Sequence, residues 1–301
     1  MRGVSSKKVK TGRSDRIFYT VVYAVTIILT LLVLYPIIYV ISASFSSSNA
    51  VAQGRVWLWP VKPSLEAYKA VINYKDLWIG YRNTIFYVVV GTIINVSVAM
   101  ICAYPMARKG LPGRNFLSFF FSFTMLFGGG MIPNYILVKN LGMMNSVWSQ
   151  IIPGLMSVYN MIVARTFIQN NIPDELLEAS KIDGCDDFTF FFKMVLPLSK
   201  AIIAVLALWH AVGHWNSYFN AFLYLTDKNL YPLQIFLREI LVQNEMSLES
   251  VSSSLEAAEM ANMKLLLKYA IIVVSTVPLY IFYPFVQKYF VKGVTIGSVK
   301  G

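Results

Sequence analysis

Pro173-Asp-Glu-Leu-Leu-Glu-Ala-Ser-Lys-Ile-Asp-Gly184, continued by Cys185-Asp-Asp-Phe188 and ending in Val195-Leu-Pro-Leu198, is a conspicuously polar segment set between two long apolar stretches. It holds six of the chain's 15 acidic residues: Asp174, Glu175, Glu178, Asp183, Asp186 and Asp187. Almost everything within thirty positions on either side is suited to hydrocarbon. A chain that keeps such a segment between apolar spans needs it for contact with something soluble.

The composition agrees. Of 301 residues, 56% are hydrophobic and only 14% charged, with a mean hydropathy of +0.58. Soluble domains carry about 25% charged residues, so the fold class read here is an all-α integral membrane protein. The net charge of +11 does not point to nucleic acid, because no basic stripe interleaved with aromatics is present. Cys102 lies in an apolar run and Cys185 in the polar loop, so the pair reads neither as a disulfide framework nor as metal ligands.

A spanning helix needs about 20 predominantly apolar residues. Six stretches satisfy this, at 17–45, 83–107, 114–138, 146–168, 199–226 and 266–288. None has Asp or Glu in its middle, where a charge costs about 2.5–3.5 kcal/mol. Pro36, Pro105, Pro133, Pro153 and Pro278 fall in or near them, as membrane helices tolerate. The stretch before the first span carries Arg2, Lys7, Lys8, Lys10, Arg13 and Arg16. A secretory signal has an apolar core of only about 7–15 residues, so 17–45 reads as an uncleaved span. With the N-terminus inside, sixteen of the 26 Lys and Arg fall on the inner side, as the positive-inside rule requires. The expected topology is six transmembrane helices with both termini cytoplasmic. It divides into a basic N-terminus at 1–16, a permease domain at 17–291 containing a cytoplasmic loop at 171–198, and a tail at 292–301. Amphipathic surface helices are expected in the outer loops, on Leu65, Tyr68, Val71 and Ile72, and on Leu255, Ala258 and Met263.

Within the polar loop, Asn171 is the expected N-cap, Pro173 suits the first turn, and Asp174 and Glu175 favour a helix N-terminus. The helix should run to Asp183, and Gly184 supplies the left-handed residue that ends it. Asp186 or Asp187 starts a second helix whose Phe188, Phe191 and Phe192 provide an apolar face. Ala179, Ser180 and Gly184 are small enough for another protein to approach closely, and Glu178 and Asp183 suit basic groups on it. An ordinary solvated loop with well-capped helices explains several of the same residues.

The wording Glu178-Ala-Ser-x-x-Asp183-Gly184, with Pro197 thirteen residues after the glycine, resembles the cytoplasmic EAA loop of bacterial ABC importer permeases. Tyr104-Pro-Met-Ala-Arg-Lys109 with Pro112-Gly-Arg114 is similar to the second inner loop of carbohydrate importer permeases. Phe127-Gly-Gly-Gly-Met-Ile-Pro133, Leu137-Val-Lys-Asn-Leu-Gly142, Arg165-Thr-Phe167, His214-Trp-Asn216 and Tyr231-Pro-Leu-Gln234 resemble the subset importing oligosaccharides from complex polysaccharides. The end, from Tyr283 to Gly301, is similar to the tail of the maltose-type second permease. Ser180 and Cys185 depart from the alanines usual in the family loop.

The resemblance implies a non-catalytic permease subunit in a bacterial cell membrane. It implies a second, non-identical permease, two ATPase subunits and an extracellular solute-binding protein as partners, with an oligosaccharide as cargo. ATP and Mg belong to the partner ATPase, and this chain binds no cofactor. It implies ATPase coupling through Glu178, Ala179, Ser180, Asp183 and Gly184, and ATPase contact by the tail through Thr295, Gly297 and Lys300.

No Gly-x-x-x-x-Gly-Lys-Ser/Thr phosphate loop is present. Gly128-Gly129-Gly130 reads either as close helix packing or as a break lining a cavity. His210 and His214 stand one helical turn apart, but without a third ligand they make a poor zinc site. Trp209, His214, Trp215 and Asn216 are sugar-compatible groups and are the candidates for the substrate path; interface anchoring by Trp is the plainer account. The competing function is an ion-coupled carrier or channel, which would usually carry ionisable residues inside its spans; only the histidines qualify.

Overall fold

The computed structural model describes residues 12–249 and 255–298, and every regular element among them is helical. In chain order these are α1 (Arg13–Ser44), α2 (Ser48–Ala52), α3 (Glu66–Asn73), α4 (Lys75–Ala107), α5 (Arg114–Leu126), α6 (Met131–Asn140), α7 (Trp148–Ile151) and α8 (Val158–Asn171). They continue as α9 (Asp174–Ile182), α10 (Asp187–Phe190), α11 (Leu196–Leu198), α12 (Lys200–Trp215), α13 (Phe219–Tyr224), α14 (Leu233–Glu249) and α15 (Leu255–Ser298). A π-turn over Phe191–Val195 joins α10 to α11.

Among the described residues, three helical stretches are long and apolar enough to cross a membrane: Ser14–Ser44, Lys75–Ala107 and Asn262–Ile281. Three more candidates are bent pairs: α5 with α6 at 110°, Trp148–Gly154 with α8 at 55°, and Asp187–Leu198 with α12 at 78°. The straight spans expected at 114–138, 146–168 and 199–226 are therefore broken. Two of the breaks have a local cause. Gly130 takes φ +86°, a conformation that favours glycine. Pro153 lies in the 3-10 turn Ile152–Gly154, where it adds no donor to a helical ladder. The fifth expected span ends at Trp215, and α13 resumes only at Phe219. Pro36, Pro105 and Pro278 lie inside continuous helices.

Contacts divide the chain into two compact units, 1–71 with 244–273, and 72–243 with 274–301. In the first, the Ser42 Oγ hydroxyl donates to the Leu58 carbonyl (2.7 Å), and the Val61 amide donates to Ser46 Oγ (3.0 Å). These bonds fold the segment after α2 back onto the end of α1. Ser44 Oγ and the Tyr68 hydroxyl share a hydrogen bond of 2.7 Å, fixing α3. Ala43, Ala67, Val71, Leu266 and Ala270 form its buried centre. Of the stripe expected on α3, Val71 is buried, whereas Leu65 and Ile72 are exposed. The helix expected around Leu255 is the start of α15, not a separate surface element. Residues 14–38 of α1 are exposed apolar surface almost throughout.

In the second unit, α4 packs on α8 and α12. Val96, Ala99, Met100, Ala103 and Met106 of α4 meet Met161, Ala164 and Ile168 of α8 and Val205 and Leu206 of α12. The alanines let the backbones approach, which is how membrane helices gain dispersion contacts without a hydrophobic driving force. Polar groups on α4 also hold the chain between α13 and α14. Asn83 Nδ2 donates to the Asn229 and Tyr231 carbonyls (2.7 and 2.9 Å), and the Tyr87 hydroxyl donates to the Leu230 carbonyl (2.8 Å). The Leu233 amide donates to Thr84 Oγ1 (2.8 Å).

Candidate functional site

The polar loop forms a helix, a turn and a second helix, with one change at its start. Asn171 is the last residue of α8 and donates from Nδ2 to the Phe167 carbonyl (2.8 Å), so it does not cap α9. The N-cap is Pro173, in extended backbone. A residue before proline is pushed out of the helical region, and Ile172, at φ −122° and ψ 93°, ends α8 where that rule places the break.

At the other end of α9, Gly184 takes φ +77°. Its amide donates to the Lys181 carbonyl (3.1 Å), and the Cys185 amide donates to the Ser180 carbonyl (2.9 Å). This is the paired Schellman arrangement, which satisfies carbonyls the helix end would otherwise leave open. Asp186 then caps the next helix, its Oδ1 accepting the Thr189 amide (3.0 Å).

The two faces of α9 differ. Glu178, Ala179, Asp183 and Gly184 are exposed, and the side-chain carboxylates of Glu178 and Asp183 have no hydrogen-bond or ion-pair partner among the described residues. Ser180 is the exception to the expected docking set. It is buried, its Oγ donates to the Leu177 carbonyl (2.7 Å), and it lies beside Leu176, Leu177 and Cys185 on the face packed against the bundle. The second helix also turns differently from expectation. Phe190 and Phe191 are buried against Tyr104, with ring centroids 6.4 and 5.3 Å away, whereas Phe188 and Phe192 are exposed. Phe188, Phe191 and Phe192 line an apolar groove of about 260 Å³ with Ile101, Tyr104 and Pro105.

The start of α9 is tied to the end of α4. Lys109 Nζ lies 3.0 Å from Asp174 Oδ2, and Arg108 Nη1 lies 3.5 Å from Oδ1. The hydrogen bond from Lys109, helped by the charges of Lys109 and Arg108, holds the Asp174 carboxyl below its usual 3.8 against a smaller opposing effect of burial. The Arg108 guanidinium carbon sits 5.0 Å from the Tyr104 ring centroid and 5.2 Å from that of Phe190, so aromatic faces fix it from behind. None of these links follows from local spacing; the loop's distance in sequence from Arg108 hid them.

The four candidates near the end of α12 do not share one environment. Trp215 is buried at 4% exposure, with its ring 6.4 Å from Tyr81. His214 Nε2 donates to Asn95 Oδ1 (2.7 Å), a direction set because Asn95 Nδ2 already donates to the Gly154 and Leu155 carbonyls (2.8 and 2.7 Å). Trp209 is half-buried with its ring 5.8 Å from that of Tyr159. Only Asn216 is exposed, and its Nδ2 donates to the Val212 carbonyl (2.9 Å). His210 faces a different amide, with Nε2 2.9 Å from Asn160 Nδ2. The two histidines thus serve as separate helix-to-helix pins.

Asn95 is the residue that sequence reasoning missed. It occupies the Pro153 break, taking two carbonyls that the bent helix leaves without donors. The signal was an uncharged amide in the aliphatic run Gly91-Thr-Ile-Ile-Asn95, easily passed over when spans are searched for charge. The triple glycine also resolves in part. Among the described residues nothing lies within 4 Å of a Cβ built on Gly128 or Gly130, and one on Gly129 meets Pro133 Cβ of the adjoining α6 at 3.6 Å, so the segment is a break between α5 and α6 without close packing on another described helix. Thr295 and Gly297 lie near the end of α15, which runs unbroken to Ser298, and Lys300 lies outside the described residues.

Residues 95–296 match the family described as binding-protein-dependent transport system inner membrane component. The polygalacturonan/rhamnogalacturonan transport system permease protein YtcP of Bacillus subtilis (strain 168) is 39% identical over 292 residues, covering 95% of this chain and 99% of that one. Protein LplC of the same organism is 39% identical over 266 residues, covering 88% and 89%. A crystal structure of a bacterial ABC transporter involved in the import of the acidic polysaccharide alginate contains a chain 36% identical to this one. The match has a TM-score of 0.85 and covers 94% of this chain and all of the other. The family match spans the loop, the bundle that carries it and the broken helices beside it, and on it the chain belongs to the binding-protein-dependent transport system inner membrane components, as a permease subunit of an ABC importer.

Proposed function

We propose that this chain forms half of a translocation path for oligosaccharides released from complex polysaccharides, working beside a second, non-identical permease. Two ATPase subunits drive it and an extracellular solute-binding protein delivers the cargo. ATP and Mg act on the ATPase, and this chain binds neither. The reading of the cargo rests on the relatives, one a polygalacturonan/rhamnogalacturonan transport system permease protein and another from a transporter involved in the import of the acidic polysaccharide alginate. The six-span topology has both termini in the cytoplasm, with 1–16 and 292–301 as the terminal segments of a permease domain at 17–291.

The ATPase docks on α9 and the turn after it. The observation that carries this reading is an exposed edge of Glu178, Ala179, Asp183 and Gly184, whose two carboxylates have no partner among the described residues. Ser180 contributes from the other face by keeping the helix seated on the bundle. ATP-driven closure of the ATPase dimer carries α9 with it, and the Asp174 ties to Arg108 and Lys109 pass the movement to the end of α4. This is a discrete rearrangement of packed helices coupled to a ligand. Thr295, Gly297 and Lys300 contact the ATPase from the tail. Along the path, Asn216 and Trp209 touch the sugar, while His214 and Trp215 set their positions from behind.

Reconstituted complexes carrying Glu178→Lys, or lacking residues 294–301, test the docking. Both should assemble a folded bundle, the first with weakened ATPase association and the second with lowered binding-protein-stimulated ATP hydrolysis. Normal association and stimulation in both would remove the docking assignment.

A further inference from the structure

Three cationic side chains converge where no carboxylate balances them fully. A cavity of about 430 Å³ is lined by Arg108 and Lys109 just beyond α4, Arg114 at the start of α5, Gln169 near the end of α8, and Asp174 and Glu175 at the start of α9. Asp174 is engaged by both Arg108 and Lys109. Arg114 reaches only the Arg108 carbonyl, at 3.5 Å, and has no carboxylate in ion-pair range among the described residues. Glu175 is exposed and makes no ion pair there. The α9 N-terminus opens on the same space, adding the positive end of its dipole.

We infer that this cavity binds the phosphodiester headgroup of an anionic phospholipid. The chemistry calls for an anion: three cations against two carboxylates, with Lys109 largely exposed and Arg108 held in place by the faces of Tyr104 and Phe190. The level in the membrane calls for a lipid. The cavity lies where α4 and α8 end and α5 begins, in a chain belonging to an inner-membrane family, so it stands at the headgroup plane. Basic pockets between spans at that plane suit anionic headgroups. Its volume exceeds by far the share of one water molecule, about 30 Å³. An acidic ATPase segment is the less favoured occupant, because the exposed edge of α9 offered for docking is itself acidic.

The site has a consequence for coupling. A phosphate held by Lys109 and Arg114 competes with Asp174 for Lys109, so lipid occupancy alters the tie between α4 and the docking helix. The proposal stands on the cavity, its charges and the span topology proposed above, and does not need the cargo or the path residues to be as proposed there.

The test uses the whole importer complex, exchanged into detergent and titrated with phosphatidylglycerol or phosphatidylethanolamine, and read by native mass spectrometry. One phosphatidylglycerol should be retained specifically. Arg114→Gln should weaken its retention about fivefold, the equivalent of roughly 1 kcal/mol per interfacial cation. Lys109→Gln with Arg114→Gln should weaken it further, whereas Arg114→Lys should retain it. Only intact complexes are counted, so misassembled protein does not enter the comparison. Equal retention of phosphatidylglycerol by the double variant overturns the proposal, as does equal retention of phosphatidylethanolamine. Occupancy by inorganic phosphate with no lipid retained assigns a soluble anion instead. A zero-length cross-link from Lys109 to an ATPase carboxylate overturns it in favour of a protein partner.

Discussion

Gly91→Ala tests whether the buried amide network joining α4, α12 and the Pro153 break holds the bundle together. A Cβ built on Gly91 collides with His214 Nε2 and stands 2.6 Å from Cε1 and 2.9 Å from Cδ2. The ring cannot simply turn away, because Nε2 is committed to Asn95 Oδ1 and Asn95 in turn holds two carbonyls. Overpacking of this kind costs about 1–3 kcal/mol. Losing the interhelical hydrogen bond adds about 0.6 kcal/mol, and at most about 1.7. A loss of about 2 kcal/mol is expected, visible as a lower thermal midpoint of the assembled complex in detergent. His214→Ala destabilises by its own cavity and by leaving Asn95 Oδ1 without a donor. In Gly91→Ala with His214→Ala the new methyl occupies space the ring has vacated, so the combined loss should be clearly smaller than the sum. Additivity within about 0.5 kcal/mol, or an unchanged midpoint for Gly91→Ala alone, would refute the reasoning.

Gly184→Val should cost about 1–2 kcal/mol in the turn, since a side chain opposes the left-handed backbone, and should lower coupled ATP hydrolysis; normal hydrolysis would count against a docking role for the turn. Trp215→Ala should destabilise the complex by about 3–5 kcal/mol, as large core truncations do, whereas Asn216→Ala should reduce sugar uptake with little change in thermal midpoint. The reverse pattern would exchange the roles assigned to them. Because the folded-state Asp174 carboxyl titrates below its usual 3.8, its contribution is present above that value and is lost as pH falls through the depressed folded value. Asp174→Asn should therefore differ in stability from the parent at neutral pH, and the gap should close only as pH falls from 3.8 through the depressed folded value. A gap that persists unchanged once pH lies below that folded value would detach the effect from the carboxylate's charge. The effect is small, because the Asp174 side chain is 39% exposed and solvent screens such pairs.

The polar loop was the most legible part of the chain because its determinants are local. Proline before a helix, glycine in the left-handed region and an aspartate cap act within four residues, and α9, the Gly184 turn and the Asp186 cap all stand where those residues direct. The one misplaced cap, Asn171, lost to a rule of equally short range: Ile172 precedes proline and closes α8 first. Membrane character was likewise legible from composition and from six apolar runs, since a charge deficit needs no coordinates. The bends were less so. Apolar length measures whether a segment suits lipid, while Gly130, Pro153 and the interruption after Trp215 decide whether it stays one helix.

What only the tertiary structure decided is which residues meet. Trp215 and His214 read as sugar-compatible from their chemistry, and packing places the first against Tyr81 and the second on Asn95 and Gly91. Ser180 faces the bundle and not the exposed edge of α9, and Phe190 is buried where Phe188 and Phe192 are not. Arg108 and Asp174 are separated by 66 positions and meet at 3.5 Å. Residue type and short-range spacing specify helices, caps and turns, because those depend on backbone geometry a few residues long. The partners of a side chain depend on how whole helices rotate and cross, and that is set by the sum of many weak contacts along α4, α8 and α12.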